Sequence, residues 1–188
     1  MPPMAEKPAL DQFETYEVFP LKKEGAAYIY VGPVHAPNED VAFLFAKEQY
    51  SRRATCAGLW VIRTEHIQVS PYAGDGENIY EMLRAEEPAV RSEQPEPYEI
   101  FHLKKRGKAH THMGRVTTTS YQEALQQARQ AFGETGPIVN VWIVRSAHVL
   151  QSAEEDREMW LTVPEKKYRE ATAYKVMDKI KQFKEEQK

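Results

Sequence analysis

The chain has 188 residues, a formal net charge of −3 and a pI near 6.1. That acidic balance lacks the basic footprint of a nucleic-acid binder, no run approaches the ~20 apolar residues of a membrane span, and the start, Met1 to Lys7, lacks the basic and apolar parts of a signal peptide. With one cysteine, Cys56, no internal disulfide can close, so a cytoplasmic protein with no membrane or nucleic-acid partner is expected.

After an N-terminal tail over 1–15, Tyr16–Leu21 reads as a strand. The polar stretch Lys22-Lys23-Glu24-Gly25 reads as a turn, with Gly25 supplying positive φ. A second strand is expected over Ala27–His35. Asn38 then stands as N-cap of a helix whose Val41, Ala42, Phe45, Ala46 and Gln49 form one stripe toward a sheet. Leu59–Arg63 is a near-continuous apolar run, as a central strand would be. The connecting stretch Ser70–Pro97 holds a short helical candidate around Ile79–Ala85 and a proline-rich segment from Pro88.

The same order then returns 82 positions later. Residues 16–68 align without a gap onto 98–150, with 15 identities in 53 pairs; Gly25, Gly32, Trp60, Arg63 and His66 recur as Gly107, Gly114, Trp142, Arg145 and His148. Ser120 takes the place of Asn38, and Ser120-Tyr121-Gln122-Glu123 has capping-box spacing. The second helix carries Ala124, Leu125, Ala128 and Phe132, and Val141–Arg145 is the second copy of the central strand.

Two copies are too few for a stacked solenoid, and a unit of about 80 residues is small for a lone core. The expectation is an α+β fold. Two tandem ββαβ repeats of ferredoxin-like type, 16–91 and 98–174, pack as a pseudo-dimer around a 92–97 linker, and a helical tail covers 175–188. In that tail region Ala173, Val176, Met177, Ile180 and Phe183 fall on one helical face and lysines on the other. Trp60 and Trp142 are expected to be buried with their indole nitrogens hydrogen-bonded.

The sharpest metal-like signal is His110-Thr111-His112, because residues two apart on a strand share a face. Tyr28 and Tyr30 occupy those places in the first copy, so the face accepts polar-tipped rings without a metal, and two histidines fall short of a catalytic zinc site. Glu99-Ile100-Phe101-His102 has the spacing of a helical di-iron ligand pair, but on a strand the two side chains point to opposite faces. The chain carries no phosphate loop, dinucleotide fingerprint or nucleophile elbow. His66 and His148 end the central strands and read as structural or surface residues, and Cys56 as a small core hydrophobe. Arg52 and Arg53, just after Tyr50 at the helix end, become Glu134 and Thr135 in the second copy. The fold does not require them, and they suit either helix capping or carboxylate recognition at an interface.

These motifs resemble a known family. Tyr16-Glu17-Val18-Phe19, Val31-Gly32-Pro33-Val34-His35, Tyr50-Ser51-Arg52-Arg53 and Trp60-Val61-Ile62 in the first copy are similar to the PaaB-type subunit of the phenylacetyl-CoA epoxidase (phenylacetic acid degradation) complex. So are Tyr98-Glu99-Ile100-Phe101, His110-Thr111-His112-Met113-Gly114 and Trp142-Ile143-Val144 in the second, and Lys166-Lys167-Tyr168-Arg169 near the end. The resemblance implies an accessory subunit without a catalytic centre or cofactor of its own. Its partners would be a di-iron catalytic oxygenase subunit and that subunit's structural companion, with self-association also open. Tyr28, Tyr30, Tyr50, Arg52, Arg53, His110 and His112 are the interface candidates. The tandem form departs from a family pattern of one unit per chain. The competing reading is a small α+β-barrel enzyme with a pocket at His110 and His112.

Overall fold

The structure is a computed structural model that describes residues 12–51, 56–74, 76–82, 92, 94–133, 136–153, 155, 160 and 183–186. The fold is α+β. One four-stranded antiparallel sheet runs β2-β1-β3-β8 and a second runs β4-β7-β5-β6. The strands are β1 (Glu14–Leu21), β2 (Gly32–Ala36), β3 (Gly58–Arg63), β4 (Gln68–Val69), β5 (Glu96–Leu103), β6 (Thr111–Thr118), β7 (Asn140–Arg145) and β8 (Val149–Gln151). The long helices are α1 (Glu39–Tyr50) and α3 (Tyr121–Phe132), and a single turn, α2, spans Ile79–Met82.

The pairings repeat at the 82-residue offset. Phe19 stands opposite Trp60 in one sheet, and Phe101 opposite Trp142 in the other. The fourth strands were not expected, and they cross over. β4 follows β3 in sequence yet pairs with β7, while β8 follows β7 yet pairs with β3. Each crossing passes through a 3-10 turn, Thr64–His66 or Ser146–His148. The exchange extends to side chains: Ile79 and Tyr80 join the core beside α3, and Trp160 packs on the core beside α1.

Strand alternation sends Tyr16 and Val18 toward Ala42 and Ala46 of α1, and Tyr98 and Ile100 toward Ala124 and Ala128 of α3. Alanines at these positions let each helix lie close on its sheet. The alternate residues, Phe19, Trp60, Ile62, Phe101, Val144 and Val149, fill a third core between the two sheets. Three contacts there join residues of the same alignment position. Phe19 meets Phe101 at 4.5 Å between ring centroids, His66 stacks on His148 at 4.0 Å, and Ile29 forms a β-bridge with Thr111.

Both helix starts are capped as their sequences imply. Asn38 Oδ1 accepts from Val41 N–H, and Ser120 Oγ accepts from Glu123 N–H. The capping box is modified: Glu123 Oε2 accepts from Thr119 N–H, while Ser120 N–H donates to the Thr118 hydroxyl. Gly25 and Gly107 have the positive φ their turns need, 75° and 77°. The second strand is shorter than Ala27–His35, because Gly32 turns the backbone at φ 137° and the residues before it reach across to the other half. Tyr30 N–H donates to His110 C=O, and His112 N–H donates to Tyr28 C=O. Most of the expected C-terminal helix lies outside the described residues; 183–186 are helical.

Candidate functional site

Four of the seven interface candidates converge where the halves bridge. Tyr28 stacks on Trp60 and His110 on Trp142, each pair 3.9 Å between centroids and within about 20° of parallel. Tyr30 meets His110 edge-on at 6.4 Å, and Tyr28 meets His112 the same way. Trp60 is buried and Trp142 largely so, but neither indole Nε1 has a hydrogen-bond partner among the described residues. The expected indole bonds are not found by distance and angle, although the Tyr28 ring stacked on Trp60 brings its hydroxyl close to that indole N–H.

Both histidines are tied into the fold. His110 Nε2 lies 2.8 Å from Asn140 Oδ1, and Asn140 Nδ2 donates to Ser70 C=O, so the histidine carries its proton on Nε2. Burial pushes the His110 pKa down to about 4, against the pull of the Asn140 bond. Gly58 stands at the Asn140 position, and a Cβ there would lie 3.1 Å from the Tyr28 hydroxyl, so the larger ring goes with the missing side chain.

His112 Nε2 donates to Glu99 Oε2 at 2.8 Å. Glu99 is a buried carboxylate that also accepts from Arg115 Nε and from the Ser146 hydroxyl, both at 2.6 Å on Oε1. Burial alone raises its pKa, but the bonds from His112, Ser146 and Arg115 outweigh that and hold the carboxyl below the usual range. The sequence reading missed Glu99 as a centre of this network. Its signal was the identity of Glu17 and Glu99 at inward-facing strand positions, where an ionisable residue needs a partner.

His102 faces away from Glu99, as the strand reading requires. It shares a 2.7 Å hydrogen bond between Nε2 and the Tyr80 hydroxyl, beneath α3. Burial first, then the charges of Lys104 and His110, lower its pKa to about 4. Tyr50 sits apart from the four-ring cluster and donates to Pro33 C=O at 3.0 Å. Arg52 and Arg53 lie outside the described residues. Among the described residues no group of three or more His, Cys, Asp or Glu side chains could hold a metal ion, and no helix is long and apolar enough to cross a membrane.

What the geometry defines is a two-sheet α+β protein whose inward-facing histidines are each engaged by a side chain of the fold, His102 by Tyr80, His110 by Asn140 and His112 by Glu99. The profile of the family described as PaaB, Phenylacetic acid degradation B, matches it twice, over residues 12–86 and 94–181. The chain belongs to that family. It is 31% identical over 84 residues to a subunit of 1,2-phenylacetyl-CoA epoxidase from Escherichia coli (strain K12), a match covering 44% of this chain and 88% of that protein. No solved structure matches.

Proposed function

We propose that the chain is a non-catalytic assembly subunit of a phenylacetyl-CoA epoxidase-type, di-iron acyl-CoA monooxygenase used in cytoplasmic aromatic degradation. It joins the catalytic subunit to that subunit's structural companion. In this reading 16–91 and 98–174 are two PaaB-like ββαβ repeats, joined by 92–97 and fused as a ferredoxin-like pseudo-dimer. The contacts Phe19–Phe101, His66–His148 and Ile29–Thr111 support it, since a two-fold axis brings equal positions together.

One observation carries the bridging role: the two halves share their buried framework and differ in their outer helix faces. α1 exposes Leu44 (57%) and Phe45 (48%), where α3 exposes Gln126 and Gln127. A homodimer of single units must present the same face twice, whereas a fused pair can offer an apolar face to one partner and a polar face to another. Changing Leu44 and Phe45 to glutamine copies the second half onto the first. It should leave the melting temperature within a degree or two, because both side chains are exposed, and should release one oxygenase partner in co-purification while the other stays bound. Retention of both partners by the double variant would refute this assignment of faces. Tyr28, Tyr30, His110 and His112 then act as the seam between the halves, which leaves Tyr50, Arg52 and Arg53 as the candidates for partner contact.

A further inference from the structure

Glu17 and Glu99 hold the same place in the two halves, but their partners differ. Around Glu99 stand His112, Ser146 and Arg115. The corresponding residues around Glu17 are Tyr30, Thr64 and Pro33. Thr64 keeps its bond, donating to Glu17 Oε1 at 2.9 Å. Tyr30 keeps the place of His112 as a neutral donor: its hydroxyl pKa is raised by burial first, then by its hydrogen bond to Glu17 and the charge of that carboxylate. Among the described residues the guanidinium has no counterpart. Pro33 stands directly across from Glu17 in the β1–β2 ladder, as Arg115 does from Glu99 in the β5–β6 ladder.

The consequence is electrostatic. Glu17 Oε2 is buried with no hydrogen-bond partner, and no ion pair joins Glu17 to any cation among the described residues. Arg115 covers Glu99 to 1% exposure, whereas Glu17 retains 8%. β2 is the edge strand of its sheet and Pro33 is exposed, so among the described residues no further strand covers the approach over Pro33. A carboxylate this buried needs a cation or several donors to be held at low cost.

We propose that Glu17 is the receptor for an arginine side chain of a partner protein, its guanidinium seated over Pro33 as Arg115 is seated beside Glu99. Arginine fits better than lysine because the second half shows the geometry: a long side chain, half-exposed along its length, that brings a guanidinium N–H to 2.6 Å from a buried carboxylate oxygen. The choice of a partner subunit as donor rests on the assembly reading above.

The test uses four full-length variants: Glu17→Gln, Pro33→Arg, Pro33→Gln and the pair Glu17→Gln/Pro33→Arg. In the isolated chain Pro33→Arg supplies the guanidinium internally. It should melt about 3 °C or more above Pro33→Gln, and that gain should vanish when Glu17 is glutamine. In titrations against the catalytic and structural oxygenase subunits, Glu17→Gln and Pro33→Arg should each weaken association tenfold or more, with Pro33→Gln close to the unmodified chain. Glu17→Gln should melt no lower than the unmodified chain, so its loss of binding is not a loss of fold. Unchanged association of Glu17→Gln and Pro33→Arg overturns the receptor. If the unmodified chain binds neither subunit, the assembly reading fails; the receptor is then judged by the melts, which overturn it if Pro33→Arg and Pro33→Gln melt alike.

Discussion

His102 and His110 make stability depend steeply on acid. Both are buried neutral, with pKa values pushed down to about 4 from an ordinary value of 6.5. A lowered histidine pKa means that below pH 6.5 the unfolded chain takes up a proton that the folded chain refuses. The contribution is therefore complete above pH 6.5 and is lost as pH falls toward 4. Each pH unit in that window is worth about 1.4 kcal/mol per histidine, so at pH 5 each has cost about 2 kcal/mol and the two together about 4. That is a large part of the 5–15 kcal/mol typical of a domain. His110→Gln isolates one of them, because the amide N–H₂ can still donate to Asn140 Oδ1 while nothing at the position titrates. Urea melts at pH 7.5 and pH 5 should show the variant losing about 2 kcal/mol less than the unmodified chain on acidification. Titration of the other groups cancels in that comparison, apart from His102, whose pKa is relieved of the smaller lowering by His110. An equal loss in both proteins would show that His110 takes up its proton in the folded state, and the reasoning from burial would be wrong.

Three further outcomes follow from the same contacts. Glu99→Ala leaves the His112 and Ser146 donors without their acceptor, while half-exposed Arg115 turns to water, and should cost about 1–3 kcal/mol in urea at pH 7; a cost well under 1 kcal/mol would mean water replaces the network freely. Gly114→Ala places a Cβ 2.7 Å from the Phe132 ring at φ 151°, and should destabilise by more than the 1–3 kcal/mol of ordinary overpacking. Gly32→Ala places a Cβ 2.6 Å from the Tyr50 hydroxyl at φ 137° and should destabilise as well, displacing the Tyr50–Pro33 bond; an unchanged melt for either variant would refute the packing argument. Trp60→Ala should cost about 3–5 kcal/mol; Trp60→Phe should cost well under half of that, since no indole bond is lost.

The sequence exposed those parts of the fold set by local chemistry. Gly25 and Gly107 located the turns, Asn38 and Ser120 the helix starts, and the strand period placed His102 opposite in sense to Glu99. The exchange of β4 and β8 was not legible, because Gln68–Val69 and Val149–Gln151 are too short to carry a pattern and their partners lie in the other half. The seam was half-legible. That Tyr28, Tyr30, His110 and His112 share a face followed from spacing, but that they face one another depends on the Ile29–Thr111 bridge, a contact across 82 positions. Glu99 was overlooked since its three donors come from β6 and the turn after β7, which only the folded sheet brings together.

Strand exchange also explains how the two halves could diverge without coming apart. Each sheet takes its fourth strand from the other half, so separating the halves would break backbone ladders as well as expose Phe19, Trp60, Phe101 and Val144. Interlocking of this kind is insensitive to the outer faces, which are then free to change. Substitutions at the seam were constrained differently: His110 goes with Asn140 and Tyr28 with Gly58, each large group matched by its neighbour. At Glu17 the glutamate is shared by both halves but proline stands where Glu99 has arginine, and the neutral donors Thr64 and Tyr30 take the place of a cation among the described residues. A framework that compensates its volume changes internally, yet gives one of two equivalent buried glutamates no cation among the described residues beside a sheet edge, is what the proposed arginine contact at Glu17 would complete.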